Sequence, residues 1–343
     1  MDELPVLDLR DVTSADDERA ARFVDELREV VHTVGFFHLV GHGVDPDLLA
    51  AGHRVAAEFF ARPDDDRFEI DNVKSPQFRG YTRFGHEHTN GRADLRDQID
   101  IGREQPEPTL GADHPAWLVL RGPNLWPAAV PEMRPVMTAW MDALEPVGDV
   151  LLRTMSQALG QPAHHFDDAV TPPEVLLKVI RYRTPDDASQ DSHGVGAHRD
   201  TGFLTFVHQN SVGGLQVEHR GEFVDVPVRP DAFVVNIGEM LQLVTHGYFR
   251  ATVHRVLRPS PGAERISIAY FYNPKLEATL APVDLPADLA ADAPGGESAD
   301  AGNPILANYG DNSLKVRLRA HPDVAQAHHA ELLATGAWAS SPR

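Results

Sequence analysis

The sequence predicts a mainly β core with helices flanking it, and three observations carry that expectation. First, from Val175 onward the chain breaks into seven short apolar runs: Val175 to Tyr182, Phe203 to His208, Leu215 to Glu218, Phe223 to Val226, Ala232 to Ile237, His254 to Leu257 and Ile266 to Tyr272. Gly-Gly, Arg-Pro-Asp and Pro-Ser-Pro-Gly turns separate them, the pattern of a sandwich or jelly roll. Second, the segments outside that block carry apolar residues at helical spacing. Third, His198-x-Asp200 and His254 fall on or between the runs. Two imidazoles and one carboxylate are the ligand set that leaves open positions on non-haem Fe(II). His198 and Asp200 are two apart, so on a strand both point to one face, and His254 arrives from another strand.

In chain order, Leu4 to Leu9 is a short opening strand, and Thr13-Ser-Ala-Asp16 follows as a helix cap. Phe23, Leu27, Val30, Val31 and Val34 place a helical stripe over Asp16 to Thr33. Gly35 to Gly43 is a second strand ending in a glycine-rich turn, where His42 is expected to pack or hydrogen-bond locally. A second helix runs from Pro46 to Phe60, and Pro63-Asp-Asp-Asp opens a third with acids in its first turn. Arg79 to Gly102 reads as irregular. A long helix from Glu132 to Leu159 ends on Gly160, and Trp126, Met133, Trp140 and Met141 are core residues at helical spacing. Pro282 to Pro304 reads as a surface loop and Asn312 to Leu333 as a terminal helical section. Four regions follow: 1–125 of helices and strands, 126–170 a long helical segment, 171–281 the β core with the candidate metal ligands, and 282–343 the loop and terminal helices.

The chain has 343 residues, 42% hydrophobic and 24% charged, with a formal net charge of -20. That length can bury a substantial core. An acidic surface argues against nucleic acid, whose phosphates need a basic stripe, and against anionic membranes. With no cysteine in the sequence, disulfides, thiolate metal sites and cysteine nucleophiles are excluded. No signal peptide and no apolar run of membrane length are visible, so a cytoplasmic protein is expected. No obligate protein partner is evident. Most of the eighteen histidines must be packing or surface residues.

The order and spacing of several motifs resemble the isopenicillin N synthase-like family of Fe(II)/2-oxoglutarate-dependent oxygenases. The matching run is His198-x-Asp200-x-Gly202, Thr205, Gln209, Gly213-Gly-Leu-Gln-Val217, Val235-Asn-Ile-Gly238, Thr245-x-Gly247 and His254-Arg-Val256, completed by Arg265-x-Ser267 and Phe271-x-Asn-Pro274. Leu4-Pro-Val-Leu-Asp-Leu, Gly35 to Gly43, Arg79-Gly-Tyr and Trp126-Pro resemble the family's amino-terminal region, so the likeness spans nearly the whole chain. It implies a double-stranded β-helix, a distorted jelly roll, wrapped by helices. It implies that His198, Asp200 and His254 bind iron and act through it, leaving three sites for cosubstrate and oxygen. The retained Asp200 carboxylate disfavours a halogenase, in which a small residue makes room for chloride.

Arg265 and Ser267 are two apart, so on a strand both face inward with Ala269 and Phe271. A guanidinium beside a hydroxyl can hold a carboxylate, and the resemblance makes this the distal carboxylate of 2-oxoglutarate, joined by Tyr182. Phe271 matches a position that can touch substrate, and a core aromatic is the alternative reading of it. The activity implied is oxidation of a small organic molecule of specialised metabolism (hydroxylation, desaturation or ring closure) coupled to decarboxylation of 2-oxoglutarate, with O2 consumed and succinate and CO2 released. An oxidase like isopenicillin N synthase itself, which uses the Arg-x-Ser pair for substrate, and a jelly-roll binding or sensing module without turnover are the alternatives. The chain departs from the family at Ile180, where an asparagine is frequent, at Arg183 for proline, and at His246, read as a turn residue. His193 and His208 are expected to flank the triad, with His193 the first to test as a fourth metal contact.

Overall fold

The computed structural model describes residues 3–12, 16–109, 111, 114–184, 193–295 and 304–334. Its first half runs β1 (Val6–Asp8), α1 (Asp17–Thr33), β2 (Phe36–Val40), α2 (Pro46–Phe60), α3 (Asp64–Phe68), β3 (Gly80–Thr82), β4 (His88–Thr89), β5 (Arg92–Ala93), β6 (Arg96–Gly102), α4 (Met133–Ala158) and α5 (Asp167–Val170). The second half continues with β7 (Glu174–Arg183), β8 (Val195–His198), β9 (Leu204–Gln209), β10 (Leu215–His219), β11 (Glu222–Asp225), β12 (Phe233–Ile237), α6 (Glu239–Val244), β13 (His254–Val256) and β14 (Glu264–Asn273). Helices α7 (Ala287–Asp292), α8 (Tyr309–Ala320), α9 (Pro322–His328) and α10 (Ala330–Ala334) close it.

An eight-stranded sheet in the order β1-β2-β12-β9-β14-β7-β6-β3 faces a four-stranded sheet in the order β11-β10-β13-β8. This is the expected jelly roll with flanking helices. The long central strands show how one sequence serves two surfaces. On β7 and β14, Val175, Leu177, Val179, Ile266, Ile268, Tyr270 and Tyr272 join the core that also holds Leu27 of α1, Val55 and Phe59 of α2 and Trp140 of α4. Their alternate residues Ile180, Tyr182, Ala269 and Phe271 belong to a second cluster with Val195, Leu215, Val217 and Val256 of the small sheet. Period-two alternation thus puts one face under the helices and the other into the space between the sheets.

Helix α1 starts where Asp16 accepts from the backbone N–H groups of Glu18 and Arg19, satisfying first-turn donors. The rest of the expected cap, Thr13 to Ala15, lies outside the described residues. The strands and helices read before residue 61 are all present, and the long helix is α4, with Gly160 beyond its end at φ +70°. Met133, Trp140 and Met141 are buried as expected.

The stretch from Arg79 to Gly102 is not irregular. It holds β3, the β4–β5 hairpin and β6, and all seven residues of β6 are buried. Its charges masked it: Asp97 and Asp100 are tolerated because β7 and α8 bring Lys178, Arg181 and Arg317 against them, and Arg96 because Glu87 and Asp94 lie beside it. Helix α7 occupies part of the loop expected from Pro282, and 296–303 lie outside the described residues. No helix among the described residues is long and apolar enough to cross a membrane.

Candidate metal centre and its cavity

His198 ends β8 and His254 begins β13, and the two are direct partners across that antiparallel pair. Asp200 does not share a strand with His198, as the spacing suggested, but lies past the strand end. The loop carrying it is clamped onto α6: its carbonyl accepts from Glu239 N at 2.7 Å, and Thr201 O accepts from Met240 N at 3.0 Å. Two glycines allow this approach. A Cβ on Gly238 would stand 2.2 Å from Gly202 O, and one on Gly202 would stand 1.7 Å from the Asn273 side-chain oxygen.

The three side chains converge. Asp200 Oδ1 lies 3.6 Å from His198 Nε2 and 3.8 Å from His254 Nε2, and one ligand atom from each residue falls within 4.8 Å of the others. His198 Nδ1 meets the Gly196 carbonyl at 2.8 Å and His254 Nδ1 meets the Thr252 carbonyl at 3.2 Å. A proton on each Nδ1 makes those bonds and leaves the Nε2 lone pairs aimed at Asp200. Burial lowers the His254 pKa to about 4, keeping it neutral as a ligand must be. Burial pushes the Asp200 carboxyl up, but His254, His198 and hydrogen bonds from Thr205 and Asn236 outweigh it and hold it below its usual range. A carboxylate and two imidazole Nε2 atoms turned toward it fit a divalent iron.

The cluster opens into a cavity of about 450 Å³ lined also by Tyr182, Arg265, Ser267 and Phe271. Arg265 and Ser267 are both 1% exposed, and Arg265 donates to Ser267 Oγ at 3.0 Å and to Gln209 Oε1 at 3.0 Å. Tyr182 pairs with Arg265 in register, and the guanidinium carbon lies 4.8 Å from its ring centroid. The Arg265 Nε has no partner among the described residues, and burial lowers its pKa. A buried cation with unused capacity beside a hydroxyl is suited to hold an anion. Ile180 is buried on the same wall, where it offers no hydrogen bond.

One expectation about histidines needs correcting. His208 does not flank the triad. It sits one residue off the inward parity of β9, facing the helices, with Nδ1 2.8 Å from His53 Nε2 and its ring against Trp140. His193 is not in the metal-ligand cluster. His42 accepts from Val44 N at 3.1 Å, as its turn suggested, and His246 is a turn residue at φ +55°. Sequence reasoning gave no role to Thr205, Gln209 and Asn236, although all three lay in the matched run. The signal was their parity, since each is inward on its strand and touches Asp200 or Arg265.

Comparison with known proteins places the same two regions in one family. A profile described as the 2OG-Fe(II) oxygenase superfamily matches residues 175–274, and one described as the N-terminal region of a non-haem dioxygenase in morphine synthesis matches 4–129. A homoarginine-6-hydroxylase of Arabidopsis thaliana is 30% identical over 292 residues, 82% of this chain and 80% of the relative. A 2-oxoglutarate-dependent dioxygenase of Gibberella zeae is 32% identical over 354 residues, covering 96% and 92%. Among solved structures, a Neurospora crassa protein in complex with alpha-ketoglutarate (2-oxoglutarate) superposes with a TM-score of 0.71 at 25% identity, covering 82% of this chain and 88% of that one.

Proposed function

The chain belongs to the 2OG-Fe(II) oxygenase superfamily and is an Fe(II)/2-oxoglutarate-dependent dioxygenase; from that premise we propose which residues do the work. His198, Asp200 and His254 hold the iron, Arg265 and Ser267 with Tyr182 hold the distal carboxylate of 2-oxoglutarate, and Phe271 contacts substrate. The observation that carries this is the convergence of the three ligand atoms within 4.8 Å in the same cavity as the buried Arg265.

Bound iron, with 2-oxoglutarate and O2, supplies the oxidising power, and the keto acid leaves as succinate and CO2. The chain's residues do the positioning. The Gly196 and Thr252 carbonyls fix both imidazole tautomers, Thr205 and Asn236 orient the carboxylate, and Arg265 fixes the direction in which the keto acid lies. Phe271 and Leu176 line the stretch of cavity wall next to the cluster and help exclude water. The substrate is a free small molecule of amino-acid size. Relatives named homoarginine-6-hydroxylases and a cavity of about 450 Å³ support this. A cytoplasmic working place and a substrate from specialised metabolism are part of the same proposal, to be tested by activity in fractionated cells and on a metabolite panel.

The test is anaerobic Fe(II) titration of the wild-type protein and Asp200→Ala by calorimetry, followed by O2 and succinate measurement. The variant should keep its circular-dichroism spectrum and lose iron binding. Wild-type iron affinity in the variant would reject the ligand assignment, and oxygen uptake without succinate would reject the cosubstrate assignment.

A further inference from the structure

Most charges on the cavity wall already have partners. Lys178 Nζ lies 2.8 Å from Glu87 and 3.3 Å from Asp100. Arg96 lies 3.0 Å from both Glu87 and Asp94, and Arg317 lies 2.5 Å from Asp100. Arg79 and Glu174 differ. Their closest approach is 3.7 Å, too long for a hydrogen bond. Arg79 Nη2 has only a 3.4 Å contact with the Leu120 carbonyl, and its Nε has no partner among the described residues. Among the described residues no hydrogen bond to the Glu174 carboxylate is found either. Arg79 is 5% exposed, and burial pushes its pKa down and that of Glu174 up. Two opposite charges thus lie side by side on one cavity wall with hydrogen-bonding capacity to spare.

The fold makes room for this arrangement. Gly102 faces Leu176 across the β6–β7 ladder, and a Cβ there would stand 2.1 Å from the Arg79 guanidinium carbon. The β7–β14 ladder gives the pair its position. Its inward rungs run Tyr182–Arg265, Ile180–Ser267, Lys178–Ala269, Leu176–Phe271 and Glu174–Asn273. Thr205, bonded to Asp200, sits opposite Phe271, so the metal cluster lies beside the fourth rung. Glu174 is on the fifth, roughly 7 Å further along the strand, at the end away from Arg265.

Resting on the iron and cosubstrate reading above, we propose that Arg79 and Glu174 form the subsite for the head group of an α-amino acid substrate. Arg79 receives the carboxylate through charge-assisted bonds and Glu174 receives the ammonium group. A zwitterion laid across the pair gives each group the direct charge-assisted bond that the 3.7 Å pairing does not supply and adds no net charge to a poorly solvated wall. A plain carboxylic acid leaves Glu174 unmet, and a plain amine leaves Arg79 unmet. With the head group held one rung from the metal cluster, the carbon presented for oxidation lies in the side chain.

The experiment uses protein loaded with Mn(II), which binds but does not turn over, and saturated with 2-oxoglutarate. It is titrated calorimetrically with the twenty standard L-amino acids and L-homoarginine. Each binder is retested as its N-acetyl derivative and as the amine lacking the carboxylate. Either change should weaken binding roughly 10- to 100-fold. Glu174→Gln should weaken the parent amino acid by a similar factor and leave the N-acetyl form unaffected. Arg79→Gln should weaken the parent and leave the decarboxylated amine unaffected, with Arg79→Lys as the gentler change if Arg79→Gln does not fold. 2-Oxoglutarate affinity, measured on every variant, reports folding and the cosubstrate site separately. Failure of every amino acid to bind while 2-oxoglutarate binds overturns the proposal. So does equal binding of blocked and unblocked forms, or variants that weaken all forms alike. Failure of the wild-type protein to bind 2-oxoglutarate sinks the cosubstrate reading and this proposal with it.

Discussion

Asp200 divides its two oxygens between two tasks. Oδ2 accepts from Thr205 Oγ1 at 2.5 Å and from Asn236 Nδ2 at 2.8 Å, while Oδ1 is the atom nearest both imidazole Nε2 atoms. Fixing one oxygen leaves the carboxylate a single donor toward a metal and removes its freedom to rotate away. Thr205→Val and Asn236→Leu keep the side-chain volumes and delete one bond each. Each is expected to weaken Fe(II) or Mn(II) binding about 10- to 100-fold, read by calorimetry under nitrogen, and unchanged affinity would show that the bonds do not orient the ligand. Arg265 has a comparable role at the other end of the cavity. Arg265→Gln leaves Gln209 Oε1 and Ser267 Oγ without their donor and removes the buried positive charge. The dissociation constant for 2-oxoglutarate in the Mn(II)-loaded protein should rise by about 100-fold.

At the scale of elements, what could be read in the sequence followed from how uniform each element's surroundings are. Helices α1, α2 and α4 press one stripe against one apolar sheet face, so their periodicity was plain. Strands β7, β9, β12 and β14 were visible because their outward residues are mostly apolar, with Arg181 on β7 and His208 on β9 among the exceptions toward the strand ends. Of the elements that were not legible, three show why. Strand β6 carries Asp97 and Asp100 in burial, and the partners that make this possible lie on β7 and α8, more than seventy residues away in sequence. Strand β8 (Val-Gly-Ala-His) has too few apolar residues to alternate, and six-residue α6 is too short to show a stripe. The candidate metal ligands could be named regardless, because ligand chemistry needs particular residue types, whereas the turn that swings Asp200 off the strand is set by Gly202 and Gly238 packing on each other. The contact between α2 and α4 gives a test of the helical layer. Gly52 leaves space for Trp140, whose Nε1 donates to Leu48 O at 2.9 Å, and a Cβ on Gly52 would stand 2.4 Å from that nitrogen. Gly52→Ala should therefore destabilise by about 1–3 kcal/mol despite alanine's better helix propensity, seen as a lower urea midpoint.

For the molecule as a whole, the question is how a chain with a formal charge of -20 responds to acid. His38 and His53 are each lowered from 6.5 to about 4, in both cases chiefly by burial, with Arg229 acting further on His38, and His208 and Arg265 on His53. Both ring nitrogens of His38 are buried without partners among the described residues, so protonation there gains no compensating bond. Between pH 6.5 and 4 the unfolded chain binds these protons and the folded chain does not. Their stabilising contribution is complete above about pH 6.5 and falls as the pH drops toward 4. Relief of self-repulsion works the other way, but surface carboxylates titrate near pH 4, so between pH 6.5 and 5 they stay ionised and relieve little. The histidines should win in that window, and the unfolding free energy should fall on the order of 4 kcal/mol between pH 7 and 5, about half from each histidine. A second decline belongs to Glu87. Burial pushes its carboxyl up, Arg96 and Lys178 more than reverse this, and its pKa is lowered from 4.5 to about 2. Its contribution is present above pH 4.5 and lost as the pH falls through about 2. Urea titrations across pH 8 to 3 should therefore show a plateau and a two-stage fall, and His38→Gln should roughly halve the first stage, leaving the part due to His53, and leave the second unchanged. A stability that rises from pH 7 to 5 would mean that charge repulsion, not histidine burial, governs the acid limb.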